Sequence, residues 1–313
     1  MKFCCSLAII MLLCLSFADA ASTAEEAQAK KMVLVCSTTQ IADFARQVAG
    51  DRCEVKSILA PGADPHTYMP APKDVQAVMA ADLTLQNGLH LEGKNWMANL
   101  AADAGKPLIT CTEGIEPIAF ESSGEKIADP HAWFSPRNAA VYVNNILRAL
   151  IEADPSGRRH YEAGTRLFLQ QLRVLDAWIR EQVSRIPPDR RVLVTSHDAF
   201  NYFCREYRFN AAHDYLSLAP VGWSTGSEVG AGMTPERRKT VTDSIRSYRA
   251  PAVFVETSVN PKLIREIAQD AGIRVGGQLY SDSMGEKGSA GETYIGMMRE
   301  NTLTILEALA ASF

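Results

Sequence analysis

Residues 155–188 read PSGRRHYEAGTRLFLQQLRVLDAWIREQVSRIPP. Phe168, Leu172, Leu175, Ile179, Val183 and Ile186 recur three or four positions apart, the spacing of one buried helical stripe, with prolines at both ends. At 1.5 Å per residue such a helix is roughly 45 Å long. That is too long for an ordinary element of one small lobe. It reads as a rigid spine joining two lobes, the alternative being a crossover helix inside a single domain.

Upstream of the spine, Val33-Leu34-Val35-Cys36 is a short apolar run ending in Ser37-Thr38-Thr39. Ile41, Phe44, Ala45 and Val48 follow at helical spacing, and Gly50 stops them. The rhythm returns with a strand over Glu54 to Leu59, a helix near Lys73 to Ala80, and strands at Leu83-Thr84-Leu85 and Leu108-Ile109-Thr110. Downstream, Val192-Leu193-Val194, Ala252 to Val255 and Ile273 to Leu279 begin a second series. Strands alternating with helices imply parallel sheets with helices packed on their faces. The expected fold is therefore α/β, with lobes over 32–154 and 188–313 and a linking helix over 155–187.

The N-terminus has Lys2, an apolar run from Phe3 to Phe17 and then Ala18-Asp19-Ala20, the pattern of a cleaved export signal over 1–20. The run is shorter than the ~20 residues a membrane span needs. Acylation of Cys14 is the less favoured alternative, because Met11-Leu12-Leu13 lacks the small residue such processing prefers. An Ala/Glu/Lys-rich tether over 21–31 precedes the first lobe. With 32 basic and 36 acidic residues and no basic run, the chain has no electrostatic footprint for nucleic acid. Cys36, Cys53, Cys111 and Cys204 remain after cleavage; none lies in a CxxC pair, so they read as buried thiols or one disulfide.

One short pattern occurs twice, as Asp64-Pro65-His66-Thr67-Tyr68 and Asp129-Pro130-His131-Ala132-Trp133. Proline fixes its own φ and keeps the preceding residue out of the helical region, so each histidine sits on a loop of restricted shape. Ser135 and Pro136 then suit the N-cap and first position of a helix. His197 directly follows the apolar run ending in Thr195-Ser196, and Asp282 follows Gly277 to Ser281. All four thus fall in the loops where open α/β sheets bind ligands. Three imidazoles and a carboxylate suit Zn²⁺ and tolerate Mn²⁺ or Fe²⁺. Two come from each half, which places a metal in the cleft between lobes. His160 reads as a solvated face, His213 as part of a turn-rich stretch, and His90 as an outer neighbour of the site.

At these residues the chain resembles the zinc/manganese solute-binding proteins of ABC importers, the TroA and ZnuA group. The matching stretches are PGADPHTYMP (61–70), NGLHLEG (87–93), DPHAW (129–133), SHDAFNYF (196–203), STGSE (224–228) and LYSDSMGEKGSAGETYIG (279–296). The resemblance implies two α/β lobes on one long helix, with metal ligands at His66, His131, His197 and Asp282. It also implies a periplasmic, monomeric, non-enzymatic carrier that delivers its ion to a membrane permease driven by a cytoplasmic ATPase. Met69 and Ser135 stand where many relatives carry carboxylates, so other partners are expected to orient His66 and His131.

His197 stands where manganese-dedicated relatives often have Glu, which favours zinc. The missing His-rich loop between Glu116 and Asp129, and the Asn87 to Gly93 stretch, point toward manganese; ligand chemistry tips the balance to zinc. Two rival classes are weighed. An exported zinc hydrolase needs an open coordination position, which Asp282 would fill, and the sequence has no HExxH. An adhesin-like surface protein with a structural metal would show large exposed aromatic patches, whereas the aromatics here fall mainly at helical core spacing.

Overall fold

The computed structural model describes residues 31–122, 125–220 and 234–310. The export signal with Cys14, all but the last residue of the tether, and the stretch 224–228 lie outside the described residues. Strands β1 (Met32–Cys36), β2 (Cys53–Ser57), β3 (Leu83–Gln86) and β4 (Leu108–Thr110) form a parallel sheet in the order β2-β1-β3-β4. Helices α1 (Thr39–Ala49), α2 (Pro72–Met79), α3 (Trp96–Asp103) and α4 (Pro136–Ala153) cover it. Side chains alternate across a strand, and β1 divides its own accordingly. Val33 and Val35 pack with Val78, Trp96 and Met97, while Leu34 and Cys36 pack with Phe44, Tyr142 and Phe168. Thr38 caps α1 by accepting the Ile41 N–H, and Gly50 ends it at φ 55°, a left-handed conformation that favours glycine.

The long helix α5 (Arg158–Ser184) has 27 residues. It starts later than the sequence suggests because Pro155–Gly157 is a separate 3-10 turn, in which the Asp154 carboxylate accepts the Gly157 N–H. The sequence also did not announce an antiparallel hairpin, β5 (Ala119–Ser122) with β6 (Glu125–Ala128), that leads into Asp129.

In the C-terminal lobe, α6 (Asn201–Tyr207) and α7 (Pro235–Ser247) precede β7 (Ala252–Glu256), α8 (Lys262–Ala271), β8 (Arg274–Leu279) and α9 (Tyr294–Ala310). Strands β7 and β8 pair in parallel. The expected strand at Val192-Leu193-Val194 does not form as one; Val194 makes an isolated parallel bridge with Leu218, and its carbonyl accepts the Phe254 N–H. The reason is Asn210, whose amide bonds both the N–H and the carbonyl of Leu193 and takes the place of a neighbouring strand. The run still ends beside β7, so His197 keeps its place at the strand ends.

Besides a cluster of its own in each, the two lobes share a larger one. Phe44, Trp133 and Tyr142 from the first lobe, Phe168, Leu172 and Ile179 from α5, and Phe200, Phe254 and Tyr294 from the second belong to the same buried cluster. Cys36, Cys53, Cys111 and Cys204 are all buried free thiols, so the thiol reading holds and the disulfide does not. Burial pushes the Cys36 thiol up to about 12.

Candidate metal centre

Each Asp-Pro-His turn is closed by its own aspartate. Asp64 Oδ1 accepts the His66 N–H at 2.8 Å, and Asp129 Oδ1 accepts the His131 N–H at 2.9 Å. Aspartate commonly closes turns this way, bonding the backbone two residues on. In the second turn the same oxygen also lies 2.8 Å from His131 Nδ1. Nδ1–H then donates to the carboxylate, which leaves the Nε2 lone pair free to bind a cation. Asp129 is itself held by Asn201 Nδ2 at 2.9 Å on its other oxygen and by the Tyr202 hydroxyl at 2.8 Å on its backbone carbonyl.

His197 is held from behind by Glu256, the last residue of β7. Glu256 Oε1 accepts the His197 N–H at 2.9 Å, and Oε2 lies 2.6 Å from His197 Nδ1, in contact though not aligned as a hydrogen bond. In the same lobe, Ser258 donates to Asp282 Oδ2 at 3.3 Å, while Asp282 Oδ1 has no hydrogen-bond partner.

The four side chains converge. His131 Nε2 lies 3.3 Å from both His66 Nε2 and His197 Nε2 and 3.3 Å from Asp282 Oδ1. His197 Nε2 lies 3.3 Å from Asp282 Oδ2, and His66 Nε2 is 3.9 Å from Oδ1. All four are buried, and one donor atom from each falls within 4.8 Å of the other three. Unpaired buried lone pairs at such spacing are costly without a cation to share.

Burial pushes the His66 imidazole down to about 3; nearby Asp282 opposes the shift only in part. Burial also acts against charge on His131 and His197, but there the carboxylates prevail. Asp129 raises His131 above the ordinary histidine value, and Glu256 with Asp282 raises His197 well above it. Asp282 is held well below the usual carboxylate range: burial alone would raise it, and the three imidazoles overcome that.

His90 is exposed at a left-handed turn, φ 64°, and is not one of the converging donors. Its neighbours in the stretch 87–93 matter instead. Glu92 is buried and accepts from Ser37 Oγ and the backbone N–H groups of Asn87 and Gly88. Asn87 Nδ2 in turn donates to the Pro130 carbonyl at 3.0 Å, fixing the second Asp-Pro-His turn. Met69 is 84% exposed, so its side chain does not orient His66. The Ser135 hydroxyl lies 3.5 Å from Glu206 and makes no cap bond to α4.

Gly93 and Glu256 lend themselves to tests. Gly93 sits at φ 45°, and a Cβ there would come within 2.2 Å of the His66 carbonyl oxygen. Gly93→Ala is therefore expected to displace the first Asp-Pro-His turn and weaken metal binding while Gly105→Ala, where nothing lies within 4 Å, leaves it unchanged. Calorimetric titration of the two variants side by side checks this; equal affinities would show that the close approach does not set the position of His66. Glu256→Gln keeps the shape but removes the charge behind His197, and a fall in metal affinity of about 10-fold is expected from such outer-shell changes. Chelator competition measures it, and an unchanged constant would mean that the backbone bond alone holds the imidazole.

Two α/β lobes on one long helix, with metal-donor side chains brought together from both, define a bilobed solute-binding protein. The sequence profile of the ZnuA family, described as zinc-uptake complex component A, periplasmic, matches residues 34–308. The chain belongs to this family, whose members are substrate-binding components of metal ABC importers and not enzymes. It is 34% identical over 288 residues to the manganese ABC transporter substrate-binding lipoprotein PsaA of Streptococcus anginosus, covering 90% of each chain. With the iron-binding protein YfeA of Yersinia pestis it shares 38% identity over 280 residues, 88% of this chain and 86% of the relative. Its fold matches the periplasmic zinc binding protein TroA from Treponema pallidum with a TM-score of 0.82 and 31% identity, over 90% of this chain and 100% of that one.

These names bear on two readings of the sequence. PsaA is called a lipoprotein, so the preference for an unanchored chain over acylation finds no support in that name. All three names speak of metal binding or transport, and the adhesin-like role considered from the sequence finds no support in them.

Proposed function

We propose that this protein is exported and captures a divalent transition metal between its lobes through His66, His131, His197 and Asp282, with zinc preferred and manganese next. It then hands the ion to a membrane permease coupled to a cytoplasmic ATPase. In this reading the lobes span 32–154 and 188–313, and 155–187 joins them. The observation that carries it is the convergence of three imidazole Nε2 atoms on the Asp282 carboxylate, whose Oδ1 has no hydrogen-bond partner.

The size of the cage supports zinc. A tetrahedral ion with bonds of about 2.0 Å has ligand-to-ligand edges of about 3.3 Å. The two imidazole separations from His131 are 3.3 Å, as is its distance to Asp282 Oδ1; His197 stands 3.3 Å from the other carboxylate oxygen and His66 3.9 Å from Oδ1. Three nitrogen donors point the same way by ligand type. The relatives are named for manganese, iron and zinc respectively, so the family alone does not choose.

Calorimetric titration of metal-stripped mature protein with zinc, with manganese, and then with each against the other tests the reading. Stoichiometric binding with zinc displacing manganese is the expected result. Manganese displacing zinc would overturn the preference, and no stoichiometric binding of either would overturn the function.

A further inference from the structure

Asp282 belongs to the C-terminal lobe by chain position, following β8, yet the loop that carries it is also gripped on both sides by the other lobe. Thr39 Oγ1, at the start of α1, accepts the Met284 N–H at 2.9 Å and donates to Gln40 Oε1 at 3.1 Å. Gln40 Nε2 then donates to the Ser281 carbonyl at 3.1 Å. These two residues therefore form one continuous hydrogen-bonded clasp that meets the chain on either side of Asp282. A further bond runs from the Gly62 N–H, in the loop leading to His66, to Ser283 Oγ at 2.7 Å. Thr39, Gln40, Ser281 and Ser283 are all buried.

The loop's own lobe holds the N-terminal flank as well: Ser258 Oγ stands 2.7 Å from Ser281 Oγ, 3.3 Å from the Asp282 carboxylate and 3.4 Å from the Asp282 N–H, and Asn301 bonds the backbone of Tyr280. We propose that Thr39 and Gln40 are positioning residues for metal retention: a clasp from the N-terminal lobe keeps the Asp282 carboxylate in the cage. The fourth donor is then in place only while the lobes are docked, and parting them slackens the one anionic ligand. Because the clasp atoms are buried, a lost partner leaves an unsatisfied polar group instead of a bond to water.

This inference rests on the reading of the four converging residues as the metal site, and the test separates the two. Zinc dissociation from the full mature protein is followed by stopped flow into a chelator, with Thr39→Val and Gln40→Leu compared to wild type. Each variant is expected to release zinc roughly 3- to 10-fold faster, the range set by one net hydrogen bond, with the association rate unchanged. The cobalt-loaded visible spectrum is expected to change in both variants, and Thr39→Ser, which restores the hydroxyl, is expected to recover the wild-type rate and spectrum. Wild-type dissociation in both Thr39→Val and Gln40→Leu overturns the clasp. So does a lower melting temperature of the metal-free variants with no recovery of the rate in Thr39→Ser, since the role is then structural only. Asp282→Ala releasing zinc at the wild-type rate would instead remove the metal-site reading beneath it.

Discussion

Replacing His131 by alanine is expected to abolish tight metal binding, with affinity falling by at least ~100-fold, beyond the 10- to 100-fold typical of outer-shell changes. His131 is the centre of the cage: its Nε2 stands 3.3 Å from His66, His197 and Asp282. The Asp129 carboxylate at its back fixes the ring so that this lone pair faces inward. Removing the ring therefore deletes a bond and leaves Asp129 buried with one partner fewer. Competition of the stripped variant against a chelating indicator measures the change. Retained wild-type affinity would falsify the assignment of this residue, whichever metal is bound.

The second large effect is on pH. Metal binds the deprotonated imidazoles, so protons compete with it, and the sign follows from the shifts in the metal-free site. His131 and His197 have raised affinities for protons, the carboxylates of Asp129, Glu256 and Asp282 outweighing burial, so competition begins above the ordinary histidine range. His66, pushed down to about 3 by burial, carries no proton near neutrality. Asp282, held well below its usual range, stays ionised throughout. Affinity is accordingly expected to fall with decreasing pH, by up to about 10-fold per unit for each proton displaced. A steep decline that sets in above the ordinary histidine value and continues through it is the expected calorimetric profile. A flat profile would count against imidazoles in the cage.

The same carboxylates that sharpen the pH response also explain which parts of the site escape a reading of the sequence. Asp129 stands two residues from His131, and the turn pattern flags it, but nothing in that pattern says that its side chain doubles back to the ring. Glu256 is 59 residues from His197 and meets it only because β7 runs beside the segment that ends at Thr195. Thr39 and Gln40 are more than 240 residues from the loop they hold. No local spacing encodes such pairs.

Periodicity and turn chemistry, which act over a few residues, made the α/β alternation, the long helix and the two Asp-Pro-His loops readable from the sequence by itself. A stripe at helical spacing must be buried along one side, and proline restricts its neighbours wherever it stands. The tertiary structure decided what depends on long-range contact. Asn210 displaced the expected strand at Val192 to Val194, one buried cluster came to join both lobes through α5, and Glu256, from a strand distant in sequence, came to lie against His197. Such features are fixed by which buried polar groups find partners when the sheets assemble, and burial is a property of the whole fold.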